Sequence, residues 1–171
     1  MIAFETETSF RARTVELMTP PRTRSKPASL LQAVQAAAQK VEHRLLRPVV
    51  ENEGSLAFQP RVLLALITFC YARQIYASTD IEAVLARDPA FCQACQNRFP
   101  PARVIRQFRR ENREALQICL LEVLSFLACQ KLENGLVTRV SKTFLAAEAS
   151  RRLVMAGCLD NMAEGASGPA F

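Results

Sequence analysis

The chain has no tryptophan, two tyrosines, five glycines, one histidine and, among twenty-two basic residues, only four lysines. Each scarcity removes a class of function. The glycines form neither GxGxxG nor GxxxxGK[ST], so no loop cradles a nucleotide phosphate. The lone histidine, His43, lies between Glu42 and Arg44; it leaves no HExxH pair and no Ser/His/Asp set, and it reads as a surface residue of the first helix. The longest apolar run, Val62 to Ala72, is bounded by Arg61 and Arg73 and is well short of the roughly 20 residues a bilayer span needs. Met1 to Glu16 mixes acids and bases without an apolar stretch, so no secretory leader is visible and a cytoplasmic location is expected. Neither membrane nor small-molecule substrate is expected as a partner.

What is present is a chain of 171 residues, 50% hydrophobic, with net charge +6 and pI near 9.3. That is enough apolar material for one core, and the basic balance favours a polyanionic partner. Only Lys26, Lys40, Lys131 and Lys142 are lysines, so the positive charge is mostly arginine, the side chain suited to bidentate phosphate contact. Of six cysteines, most sit in apolar helical patterns, where a reduced thiol behaves as a small hydrophobe. Cys92 and Cys95 have CxxC spacing, but no second pair completes a zinc site. No metal and no cofactor are expected.

The pattern predicts an all-α bundle. Residues 1–27 carry Arg11, Arg13, Arg22, Arg24 and Lys26 among prolines and suggest a mobile basic arm. A helical stripe runs from Leu30 through Leu45 and stops before Pro48; Pro60 opens a second helix through Tyr71, apolar enough to lie at the centre of the core. Ser78, Thr79 and Asp80 are N-cap residues for a short third helix, and Pro89 to Gln96 is another helical piece. A further helical stripe, Leu116 to Leu127, ends at Gly135. Leu136 to Thr143 is the one plausible strand, Ala146 to Ala156 looks helical, and Gly157 to Phe171 reads as a frayed tail. The expected division is arm 1–27, helical domain 28–134, a short segment 135–156 and tail 157–171.

The most distinctive stretch is Phe99 to Arg113, FPPARVIRQFRRENR. Pro100 and Pro101 belong in a first helical turn, which predicts a start near Ala102. At about 100° per residue, Arg103, Arg106, Arg109, Arg110 and Arg113 share an arc of roughly 120°, while Val104, Ile105 and Phe108 share a separate arc of roughly 100°. The plain interpretation is a solvated basic face. The sharper one is a phosphate-binding ridge, with Gln107 or Asn112 as the nearby candidates for contact with base edges.

Leu63 to Leu116 also resembles the N-terminal helical domain of InsH-like insertion-sequence transposases of the DDE class, a helix-turn-helix-like unit. The matching residues are Ile75, Tyr76, Ala77, Ser78, Ile81, Leu85 and Phe91, then Val104, Ile105, Phe108, Arg109 and Arg110. The resemblance implies DNA binding by this domain, followed by a ribonuclease-H-like core whose acids hold divalent metals. Val140 to Arg152, VSKTFLAAEASRR, matches the start of that core at Thr143, Ala147, Ala149, Ser150 and Arg151, and this matching puts Ser141 where the first catalytic aspartate belongs. A serine hydroxyl cannot carry the charge a divalent metal requires, and Lys142 adds a positive charge beside it. Only Asp160 and Glu164 follow as acids.

The expectation is therefore a truncated or degenerate transposase that binds DNA through Arg103, Arg106, Gln107, Arg109, Arg110 and Arg113 and does not cut it. Neutralising four or five phosphates would give a slope of roughly −4 in log affinity against log salt. The alternative is a helical protein-interaction module or regulator, pairing with itself or with a full-length transposase through the Leu116 to Leu127 stripe.

Overall fold

The computed structural model describes residues 27, 29–50, 57–87 and 99–166. The arm through residue 26, the helical piece at 89–96 and Cys92 and Cys95 lie outside these. Among the described residues the fold is all-α, with no strand beyond one isolated bridge, Val49 to Phe58.

Helix α1 spans Leu30–Lys40, with the Ser29 side chain accepting from the Gln32 N–H at 3.3 Å. That capping satisfies one of the free donors of the first turn. The helix stops at Lys40 rather than continuing to Leu45: Val41 turns extended, and His43–Leu45 forms a separate 3-10 turn. His43 is exposed there, outside the first helix. Arg61 donates from Nη1 to the carbonyls of Ala38 and Gln39, at 2.7 and 3.2 Å, completing the end of α1 from the next helix.

Helix α2, Pro60–Ala72, begins with proline at its first position, where the missing N–H costs no hydrogen bond. Leu63, Leu64, Leu66, Ile67, Cys70 and Tyr71 are all buried. Helix α3 is Ser78–Leu85, and its N-cap is Ala77. The expected capping role of Ser78 is thus displaced by one residue, and its side chain is used elsewhere.

Helix α4, Ala102–Glu111, is followed after one non-helical residue, Asn112, by α5, Arg113–Glu133. Asn112 is buried. Its Oδ1 accepts from the Arg47 N–H at 2.6 Å, and its Nδ2 donates to the carbonyls of Arg47 and Phe108, each at 3.1 Å. The amide thus substitutes for a strand neighbour and locks the bend between α4 and α5.

Helix α5 is the hub, packing against α1, α2, α4 and α6. It is long and apolar enough to cross a membrane by length and composition alone. In this fold its Leu116, Cys119, Leu120, Val123 and Leu124 are buried against the other helices, each large side chain contributing about 1.5–3 kcal/mol. The Leu116 to Leu127 stripe is therefore largely spent inside the chain's own core.

Two expectations for the C-terminal part are overturned. Leu136 to Thr143 forms no strand: residues 136–141 are a loop, and Lys142 and Thr143 already begin α6, Lys142–Ala166. Nor does the chain fray at Gly157, for α6 continues nine residues beyond it. Leu145, Ala149, Leu153 and Ala156 join the common core, and that packing offsets the cost of about 1 kcal/mol for a glycine inside a helix.

Candidate nucleic-acid interface

Helix α4 starts at Ala102, as the two prolines dictate, and its first N–H is capped from outside: Glu82 of α3 accepts from Ala102 at 2.9 Å. Val104, Ile105 and Phe108 are buried, which fixes the orientation of the helix. The arginines then separate into distinct roles.

Arg103, Arg110 and Arg113 are exposed. Arg106 is half-buried and pairs with Glu164 of α6 at 3.0 Å. Arg109 is 8% exposed and belongs to the core. Its Nη2 pairs with Asp160 Oδ2, and its Nη1 donates to the Tyr71 hydroxyl at 3.2 Å. Asp160 accepts at Oδ1 from the Ser78 N–H, 2.8 Å, and at Oδ2 from the Ser78 hydroxyl, 2.5 Å.

One carboxylate of α6 thus caps α3, neutralises an arginine of α4 and, through that arginine, reaches Tyr71 of α2. A negative charge at the start of α3 also faces the favourable end of its dipole. Burial works against the Arg109 charge, and the Tyr71 hydroxyl and Asp160 carboxylate outweigh it, so the guanidinium pKa is raised. Burial pushes the Tyr71 hydroxyl up to about 12, with Arg109 opposing. Arg109 therefore stays charged and Tyr71 stays protonated at neutral pH.

Arg109 is consequently withdrawn from the ridge predicted for it. It lies about 40° around the helix from Ile105, close enough to the buried face to be enclosed once α6 packs alongside. Gln107 is half-buried and donates to Glu111 at 2.9 Å along its own helix. Asn112 is closed to a base edge because its amide is fully occupied by Arg47 and Phe108. The residues missed by sequence reasoning are Tyr71, Ser78 and Asp160. Asp160 did carry a signal: the buried series Ala149, Leu153, Ala156 reaches it at the next helical step.

Between α4 and α6 lies a depression of about 320 Å³. Arg106, Arg109, Arg110 and Arg113 line one side, and Asp160, Asn161 and Glu164 the other. Its acids are already paired with Arg109 and Arg106, so Arg110 and Arg113 are the cations it presents outward. Such a surface can hold phosphate oxygens. Among the described residues no three His, Cys, Asp or Glu converge on a common point. Ser141 is exposed just ahead of α6, with its hydroxyl 2.9 Å from that of Thr143. No protein-family model, curated protein or solved structure matches the chain.

Proposed function

We propose that the chain binds duplex DNA through Arg103, Arg110 and Arg113, with Arg106 at the margin, and that it is a transposase-related protein that grips DNA without cutting it. The exposure of Arg103 and Arg110 on α4 and of Arg113 at the start of α5, beside a depression whose acids Asp160 and Glu164 are already paired with Arg109 and Arg106, carries the reading. The net charge of +6 supports it by drawing a polyanion from a distance. The resemblance of Leu63 to Leu116 to the helical domain of InsH-like transposases supplies the evolutionary frame. In that frame, residues 135–156 descend from the start of a ribonuclease-H-like domain, and Ser141 takes the place of its first catalytic acid. The chain acts in the cytoplasm, on DNA and with no metal of its own.

With Arg109 withdrawn, three phosphates are neutralised instead of four or five, and the expected slope of log affinity against log salt is about −3. Fluorescence anisotropy on a labelled duplex across a salt series measures it. Replacing Arg103, Arg110 and Arg113 together by glutamate abolishes binding while leaving the helical circular dichroism intact. Undiminished affinity in that variant, or a slope near zero for the parent, refutes the proposal.

A further inference from the structure

The opposite end of α6 borders a second, larger concavity that the DNA-binding surface does not use. Gly135, with φ of 69°, ends α5; its N–H donates to the Leu132 carbonyl and that of Leu136 to the Lys131 carbonyl, at 3.0 and 2.9 Å. This paired closure needs a left-handed residue, and it sends the 136–141 loop back past the end of α5 before α6 begins. The result is a groove of about 760 Å³, a volume typical of ligand sites.

Its floor and walls are apolar, formed by Leu124, Leu127, Val140 and Phe144. Phe144 is 65% exposed although it borders the groove. Lys131 and Arg139 stand on the lining, exposed, and neither forms an ion pair among the described residues. The single acid of the lining, Glu148, is held by Arg151 and Arg152 at 2.7 Å each. An apolar trough with two uncommitted cations and a neutralised acid complements a molecule that has a hydrocarbon body and a negative head.

We propose that this groove binds a single-chain amphiphile with an anionic head, of the long-chain carboxylate class. The acyl chain lies along Leu124, Leu127 and Phe144, and the carboxylate meets Lys131 and Arg139. Apolar burial supplies most of the affinity, and the charge pairing selects the sign of the head group.

Isothermal titration calorimetry of the full chain with dodecanoate, and with dodecanol and dodecyltrimethylammonium as neutral and cationic counterparts, tests it. Dodecanoate is expected to bind saturably at one site and to raise the melting temperature. Replacing Lys131 and Arg139 together by glutamate weakens it about tenfold or more, the scale of a lost charge-assisted contact. Phe144→Asp has a similar effect. Because these three side chains are exposed, both variants keep the parent's melting temperature without ligand. Equal affinity for the cationic amphiphile, or undiminished dodecanoate binding in both variants, overturns the proposal. So does a parent dimer that Phe144→Asp dissolves, since the groove would then belong to a second copy of the chain.

Discussion

Helix α6 meets the rest of the chain in two different ways. Its C-terminal half is closed down by Asp160 and Glu164 on the arginines of α4, while its N-terminal half packs through Leu145 and Ala149 beside a groove that stays open to solvent. A buried carboxylate has to find its donors within hydrogen-bond reach, so the polar end permits one arrangement only. Apolar contact is non-directional and leaves surface uncovered without breaking anything. The C-terminal end of α6 therefore sets the geometry of four helices, and the N-terminal end, held to α2 by Arg152 on the carbonyls of Tyr71 and Ala72, leaves an open place beside it for something else.

The sharpest way to break this contrast is to remove Asp160. Asp160→Ala strands the Arg109 charge in the core and takes the cap from Ser78, and a loss of about 3–5 kcal/mol is expected, measured as a fall in the urea midpoint. Pairing it with Arg109→Met sharpens the result. If the two residues act as one unit, the double variant loses clearly less than the sum of the single losses.

A smaller effect comes from the open end, where Glu148 lies between Arg151 and Arg152. Its hydrogen bond with Arg151, and then that with Arg152, outweigh its partial burial and hold its carboxyl down at about 2, against an ordinary 4.5. Because the folded value is the lower one, the stabilisation is complete above pH 4.5 and is lost as pH falls toward 2. Thermal melts across that range should show the parent losing its advantage over Glu148→Gln, and an advantage independent of pH contradicts the assignment.

Glu164 offers a gentler test at the closed end. It is 54% exposed, so Glu164→Gln costs less than about 1 kcal/mol of stability. The same change releases Arg106 toward the solvent, and DNA affinity should rise severalfold with the salt slope steeper by about one. A weaker complex would show that Arg106 takes no part in binding. The least intrusive measurement is thiol labelling of the native protein followed by peptide mapping. Cys129 and Cys158 are exposed while Cys70 and Cys119 are buried, and burial pushes the Cys119 thiol up to about 11. Cys70 and Cys119 are expected to react only after unfolding.

Much of the helical order was legible locally. Pro60 and Pro101 mark two helix starts because proline fits a first turn, and the spacing of Val104, Ile105 and Phe108 identified the buried side of α4. Three readings failed because the deciding partner is remote in the chain. Gly157 looked like a stop, but α6 is carried through it by contacts on both sides. Asn112 stood as a candidate for contact with a base edge, but its amide grips the backbone of Arg47. Leu136 to Thr143 has strand-like composition, but the described residues offer it no neighbouring strand to pair with.

By itself the sequence determined that this chain folds as helices and carries an excess of arginine on one of them, because periodicity and proline placement act within a few residues. Which of those arginines faces water was decided only by the tertiary structure. Arg109 and Arg110 are adjacent and chemically identical, yet a carboxylate fifty-one residues beyond Arg109 draws it into the core and leaves Arg110 outside. A buried charge persists only where its counter-charge is brought to it, and that meeting requires the whole bundle to close.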